Sequence, residues 1–478
     1  MNYRMISHIL GWILLFEAGF LLLPVATALI YREWEVIFAF LWTIAACLIC
    51  GGLLAFRRPK NQTLRARDGF VVVSLSWIVI SLFGALPFLL SGAIPSYLNA
   101  VFETVSGFTT TGATILSEIE SLPRAILFWR SFTHWVGGMG VLVFIMAFVP
   151  LGGGRNMHIM KAESPGPSVS KLVPRVRTTA LLRYSIYLGI TVMEVIFLLC
   201  GGMTLFEALC TTFSTTGTGG FGVRNDSLGG FSPYIQVVVG VFMLMCALNF
   251  GAYFLALRGR WKEALNTELR TFLAIVAVAV AVVTINIRSM YATVGESLRH
   301  AFFAVSSIVT TTGFTTVDFD LWPHLSRTVL VFLMLIGACA GSTGGGAKVS
   351  RLIIWCKGAV RGLRNAAHPK EVRRIHIDGK PVDESVVGAT FAYLACFVLV
   401  FAGSVALVSI DGHDLVTNFT AVAATIGNVG PGLSAVGPTC NYAFFSPLSK
   451  IVLIFDMLAG RLELLPMLLL FTPATWRK

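Results

Sequence analysis

The sequence predicts an all-α polytopic membrane protein: two leading transmembrane helices, then four parallel helix–pore-loop–helix repeats around a central pore. Three observations carry this reading: an apolar composition, ten apolar runs of spanning length, and a glycine turn that recurs four times on one side of those runs. Of the 478 residues, 56% are hydrophobic and only 13% charged, with a mean hydropathy of +0.79. A soluble domain carries roughly 25% charged residues. No polar stretch exceeds about 35 residues, too short for a soluble catalytic or nucleotide-binding domain with its own core.

The first run, 5–31, follows Arg4 and contains Ala26-x-Ala28, features of a cleavable secretory signal. It is also long enough to span, Glu17 interrupts it and further runs follow, so an uncleaved first helix is expected. The other runs lie at 36–56, 70–91, 125–150, 180–202, 233–257, 271–290, 327–356, 386–409 and 447–471. An even number of crossings puts both termini on one side. The segments 57–68, 151–183, 258–270 and 351–384 hold 23 Lys and Arg against eight acidic residues. The opposite connections, 31–35, 92–124, 203–232, 291–327 and 410–446, hold five against twelve. Basic loops stay in the cytoplasm, so both termini are expected there. The formal net charge of +12 is then a topological signal and not a nucleic-acid footprint. The nine cysteines lie mostly inside apolar runs, with no metal-site spacing beyond the apolar Cys47/Cys50 pair, which predicts neither a disulfide framework nor a zinc site.

Four outward connections share one pattern: a short, mildly amphipathic run, then a turn rich in Thr and Gly. The turns read Thr109-Thr110-Thr111-Gly112, Ser214-Thr215-Thr216-Gly217, Thr310-Thr311-Thr312-Gly313 and Ala424-Thr425-Ile426-Gly427-Asn428. One repeat is therefore a span, a half-length helix, a turn and a second span. The division expected is 1–69 for the leading helices and a basic loop, then repeats 1 to 4 at 70–179, 180–270, 271–384 and 385–478. All four turns fall on one side, so the repeats are parallel and their common axis runs along the membrane normal.

The residue types suit a dehydrated monovalent cation. Extended backbone beside an axis offers carbonyl oxygens in place of hydration water, and glycine tolerates the angles that aligning them requires. The candidate coordinating residues are Thr110, Thr111 and Gly112; Thr215, Thr216 and Gly217; Thr311, Thr312 and Gly313; and Thr425, Ile426, Gly427 and Asn428. Half-helices expected at 97–108, 204–213, 296–309 and 413–423 would aim their negative ends at the axis. The acidic excess of the outer loops would concentrate cations at the mouth.

The eighth run contains Gly337, Gly341, Gly344, Gly345 and Gly346 with Ser342 and Thr343. Continuous helix there costs about 1 kcal/mol per glycine, so a break is expected. Broken backbone at membrane depth needs partners or a cavity, which predicts a loop across the pore below the turns. A phosphate loop is the competing reading of Gly341 to Lys348, but Ala347 intrudes before the lysine and no soluble strand precedes it. Arg461 and Glu463 sit in the last apolar run, where ionisable groups face a bundle interior, as a structural ion pair or a functional cation.

Several stretches carry a resemblance: Phe128-Trp129-Arg130 through His134-Trp135-Val136-Gly137-Gly138-Met139-Gly140, Lys161-Ala162-Glu163-Ser164-Pro165-Gly166-Pro167, Gly341 to Gly346, Gly430-Pro431-Gly432 and Gly460-Arg461-Leu462-Glu463. Over nearly the whole chain the sequence resembles the Trk/Ktr/HKT superfamily of cation transporters, within it the branch of bacterial Trk potassium-uptake membrane subunits (TrkH/TrkG-like). The resemblance implies potassium as the transported ion, no organic cofactor bound by this chain, and a bacterial inner-membrane location. It also implies a homodimer with one pore per protomer, controlled by a cytoplasmic TrkA-type ring that binds NAD(H) and adenine nucleotides. Carried over, the filter glycines are Gly112, Gly217, Gly313 and Gly427. Related plant transporters that favour sodium have serine at the first position, so four glycines look like the potassium-preferring form. The fourth turn departs from Thr-Thr-Gly, which predicts a less regular ring there. The resemblance places Arg461 at the constriction opposite the glycine loop, making Gly341, Gly344, Gly345, Gly346 and Arg461 the candidate gate, with Lys348 a lesser candidate.

A proton- or sodium-coupled symporter is the alternative reading, although no carboxylate relay stands out. A membrane enzyme would need paired carboxylates, a nucleophile with its base or a metal site, and the eight histidines show no i, i+4 ligand pair on one span. Arg130 and His134 are expected to make structural contacts, and Glu17, Glu194 and Asp456 to be buried partners.

Overall fold

The computed structural model describes residues 1–56, 59, 65–140, 176–369 and 373–476. The Lys161–Pro167 stretch, most of the loop 57–68 and the run beyond Gly140 lie outside the described residues. Among the described residues, regular structure is helical apart from one small hairpin, in which His376 pairs with Pro381 and Ile377 with Lys380. It lies near the end of repeat 3, on the side opposite the glycine turns.

Among the described residues, six helices are long and apolar enough to cross a membrane. Two are the leading pair, Tyr3–Tyr31 and Trp34–Ala55, and the others open the four repeats: Arg67–Leu90, Thr178–Cys200, Thr267–Asn286 and Glu384–Asp411. The chain is thus a multi-pass membrane protein. The leading pair approaches closely because each helix presents a glycine. A Cβ on Gly11 would lie 2.8 Å from the Gly51 carbonyl oxygen, and one on Gly51 would lie 2.9 Å from that of Gly11. With no hydrophobic drive between helices in lipid, such small-residue contacts are how helices associate.

Each repeat continues with a half-helix: Tyr97–Phe108, Leu205–Thr216, Val294–Val309 and Leu415–Ile426. The side chains of Thr204, Thr293 and Asp414 cap the last three by accepting backbone N–H bonds from Glu207, Glu296 and Thr417. The half-helices in repeats 2 and 4 run three residues past their expected ends, which moves everything that follows.

The second helix of each repeat stops short. Arg124–Met139 has 16 residues, Pro233–Cys246 has 14, His324–Ile336 has 13 and Pro447–Arg461 has 15. At 1.5 Å per residue these rise about 20–24 Å, less than the roughly 30 Å of a hydrocarbon core. The runs 233–257 and 447–471, read above as single spans, are therefore corrected to broken ones. The first bends by 92° into Phe250–Leu257. The second turns at Glu463 and Leu464, both at positive φ, before Leu465–Leu470.

The breaks in repeats 2 and 3 satisfy each other. Thr343 donates N–H (3.4 Å) and Oγ1 (3.1 Å) to the Cys246 carbonyl, Cys339 N–H donates to Ala247 O at 3.1 Å, and Phe250 N–H donates to Gly341 O at 3.2 Å. Backbone polar groups freed at membrane depth thus find protein partners, as the absence of water there demands.

Candidate cation-coordinating site

All four half-helices end in the same way. The caps Thr109, Gly217, Thr310 and Gly427 are each followed by a left-handed residue: Thr110 (φ 54°), Thr218 (57°), Thr311 (59°) and Asn428 (54°). Each left-handed N–H bonds to the carbonyl three residues back at 3.0–3.1 Å, and the next N–H to the carbonyl five back at 2.8–2.9 Å. This is a Schellman cap, in which glycine normally takes the left-handed place. Three threonines hold it here, each at a cost of about 1–2 kcal/mol. Strain of this kind persists only where neighbours over-determine it, and it clusters at functional sites.

Two residues further on, each loop reaches a glycine at positive φ: Gly112 (80°), Gly220 (80°), Gly313 (87°) and Gly430 (97°). These four close a ring. A Cβ on Gly112 would lie 2.1 Å from the Gly219 carbonyl oxygen, one on Gly220 2.1 Å from that of Thr312, one on Gly313 2.1 Å from that of Val429, and one on Gly430 2.7 Å from that of Thr111. Every repeat thus rests its glycine on the carbonyl of the next, and the fourth returns to the first. The stretches converge on one axis, and no side chain fits where they meet.

The ring corrects the register read from sequence in two repeats. Gly217 (φ −69°) and Gly427 (φ −79°) are helix caps, and the positions matching Gly112 and Gly313 are Gly220 and Gly430. Thr215, Thr216 and Thr425 lie in the helices and donate their hydroxyls to Thr211 O (2.9 Å), Thr212 O (2.8 Å) and Ala421 O (2.8 Å). Ile426 is the last helical residue. Asn428 does enter the loop, with its Nδ2 donating to Thr111 Oγ1 at 3.0 Å and to Met457 O at 2.9 Å. The fourth loop repeats the cap bonds of the other three, but its ring contact is looser, at 2.7 Å against 2.1 Å. Repeats 1 and 3 keep the register expected, with Thr110, Thr111, Gly112, Thr311, Thr312 and Gly313 in the loops.

Thr218, Gly219, Gly220, Val429 and Gly430 were missed at the ring. The signal for them is a residue–x–Gly triplet, Thr218-Gly219-Gly220 and Asn428-Val429-Gly430, matching Thr110-Thr111-Gly112. The four half-helix ends point their negative poles at this ring. Above it opens a cavity of ≈ 150 Å³ lined by residues of all four loops, among them Gly112, Gly220, Gly313 and Gly430.

Below the ring lies the stretch 337–348, irregular as its glycines require. Gly337, Gly341 and Gly346 take positive φ, as does Lys348 (77°), whose Nζ donates to Gly344 O. Gly345 N–H donates to Thr311 Oγ1 at 2.6 Å, and a Cβ on Gly345 would stand 2.5 Å from Gly427 O. The stretch therefore presses directly on loops 3 and 4. Glu268 ties it to the helix that follows, accepting the N–H groups of Ala340 within the stretch (2.7 Å) and of Ser350 just beyond it (3.2 Å). Arg461 reaches across from repeat 4, donating to Thr343 O (2.6 Å), Gly137 O (2.6 Å) and Gly138 O (2.8 Å). Glu463 pairs with Arg351. Asp456 accepts from Ser404 at 2.7 Å, and Glu17 and Glu194 are buried.

A helical membrane protein whose turns close a fourfold backbone ring, with a broken helix directly beneath, has the architecture of a membrane transport protein. The cation transport protein family TrkH matches residues 36–478 of this chain, and the chain belongs to that family, one of transporters and not of enzymes. It is 38% identical over 490 residues to the Trk system potassium uptake protein TrkH of Salmonella typhimurium, covering 100% of both chains. It is 31% identical to the Trk system potassium uptake protein TrkG of Escherichia coli, covering 100% of this chain and 99% of that one. The fold matches the crystal structure of the potassium transporter TrkH from Vibrio parahaemolyticus with a TM-score of 0.89 at 35% identity, over 100% of both chains.

Proposed function

We propose that this chain admits potassium through the ring, which acts as a selectivity filter, and that the stretch 337–348 together with Arg461 is its gate. The observation that carries the reading is the closed cycle in which Gly112, Gly220, Gly313 and Gly430 each stand against a neighbouring loop's carbonyl. Loops so arranged offer backbone oxygens in place of water around a monovalent cation. The negative helix ends add favourable potential, and the relatives' names supply the ion.

Beneath the filter, Arg461 would set a positive charge against a cation in a narrow passage until the stretch moves. Its hydrogen bond to Thr343 O ties that charge to the moving part. Potassium enters from the outer cavity, and both termini and the hairpin face the cytoplasm of a bacterial inner membrane, in keeping with the basic loops. A homodimer and a cytoplasmic TrkA-type nucleotide-binding ring acting on the gate complete the proposal.

Purified protein alone in liposomes tests it. Rubidium should move down its gradient in preference to sodium. Uptake that strictly requires an opposing or parallel sodium or proton gradient would replace this reading with a symporter.

A further inference from the structure

Behind loops 1 and 2 lies a buried polar cluster that the ring itself does not contain. Glu103, on the first half-helix, and Arg130, on the second helix of repeat 1, are 1% and 2% exposed. Arg130 Nε donates to Glu103 Oε1 at 2.6 Å. The same carboxylate accepts Thr114 Oγ1 at 2.9 and 3.1 Å and Ile115 N–H at 3.0 Å, so it grips the strand that leaves Gly112.

The other side of Arg130 grips the strand that leaves Gly220. Its Nη1 donates to Gly222 O at 3.0 Å, and its guanidinium lies 3.6 Å from the centre of the Phe221 ring. One helical turn on, His134 Nδ1 bonds Gly107 O at 2.7 Å while Nε2 accepts Phe221 N–H at 3.3 Å. A single ion pair therefore joins two loops that are far apart in sequence.

The brace is one-sided. Positions matching Glu103 in the other half-helices are Thr211, Ala304 and Ala421. The strand leaving Gly430 is held by a neutral contact, Tyr442 Oη donating to Gly430 O at 2.7 Å. Loops 3 and 4 are also the ones that Gly344 and Gly345 press upon. Half of the ring is thus fixed by buried charge, and the other half touches the gate.

We propose that Glu103 and Arg130, with His134, are positioning residues that set ion preference by anchoring the loop 1 and loop 2 carbonyls in place. The inference rests on the filter reading above. A cation smaller than potassium draws carbonyl dipoles inward, and a ring discriminates only as far as its wall resists that contraction. A buried carboxylate with every contact made to a charged or loop donor resists it through strict geometry, and removing one partner leaves a buried charge unpaired.

The test is the rubidium-to-sodium permeability ratio of full-length protein in liposomes, a quantity independent of how many molecules are folded. Glu103→Gln keeps the shape and an acceptor oxygen but loses the charge. Arg130→Lys keeps the charge but loses the fork. Both should lower the ratio roughly tenfold, equivalent to about 1.4 kcal/mol of lost discrimination, with rubidium flux retained. Gly220→Ser, which perturbs the ring itself, runs alongside. Unchanged ratios in the two pair variants with a lowered ratio in Gly220→Ser overturn the brace alone, whereas unchanged ratios in all three overturn the filter reading as well. If neither pair variant folds, Thr114→Val decides: it keeps both charges and removes one loop donor, and a wild-type ratio there refutes the proposal.

Discussion

Replacing Gly220 with serine asks whether the ring is built in the register described. A Cβ at this position would stand 2.1 Å from the Thr312 carbonyl oxygen, where ordinary contact begins at 3.4 Å. Relieving the overlap displaces that carbonyl by about 1 Å, because close-packed atoms do not interpenetrate. The φ of +80° adds about 1–2 kcal/mol of strain for any side chain with a Cβ. One of four oxygens at the ring then leaves its place, and the rubidium-to-sodium permeability ratio in liposomes should fall by about tenfold, or about 1.4 kcal/mol. Thr215→Val is the matched control, since that hydroxyl is spent on Thr211 O within the half-helix, and its ratio should stay near wild type. A normal ratio in Gly220→Ser together with a collapsed one in Thr215→Val would place the coordinating residues where the sequence first suggested and refute the ring.

Arg461→Ala removes three hydrogen bonds from a charged donor, each worth about 1.5–3 kcal/mol, and should raise basal rubidium flux several-fold; flux at the wild-type level would argue against the gate. Glu268→Ala removes the carboxylate that ties Ala340 of the stretch 337–348 to Ser350 of the following helix and should raise basal flux in the same assay while leaving the ion ratio alone. Gly51→Leu overpacks the leading pair by about 1–3 kcal/mol, so the thermal midpoint should drop with selectivity unaltered. Asp414 caps the fourth half-helix, and bonds from Thr417 hold its carboxyl below the usual range. The stability it contributes is present above the ordinary carboxylate range and is lost as pH falls through the lowered value. Asp414→Ala should cost about 1 kcal/mol at neutral pH and flatten that acid-side decline in a thermal melt.

Much of this was legible from residue types alone. Apolar runs set the crossings, basic residues marked one set of loops, and the glycines from 337 to 346 announced a broken helix. Glu103 was not singled out, although it is the lone acidic residue in the Tyr97–Phe108 half-helix. A buried acid acquires meaning only from its partners, and Arg130, Thr114 and Gly222 come from three separate segments. Arg461 and Glu463 invited pairing by their proximity, yet the turn at positive φ sends Glu463 toward Arg351, while Arg461 donates to backbone carbonyls of three other residues.

What local chemistry decided is that four turns must exist, since each is a helix end followed by residues that cannot extend it. Where each turn begins was decided by packing. Ser214-Thr215-Thr216 and Ala424-Thr425-Ile426 can continue a helix at small cost, because threonine hydroxyls bond back to the preceding turn. The choice between Gly217 and Gly220, and between Gly427 and Gly430, falls to the neighbouring repeats, which leave room for the bare α-carbons of Gly220 and Gly430 beside the loop carbonyls of Thr312 and Thr111 and for those of the caps Gly217 and Gly427 beside the helix carbonyls of His134 and Met334. Periodicity within one repeat holds no record of that room, which exists only once all four have come together.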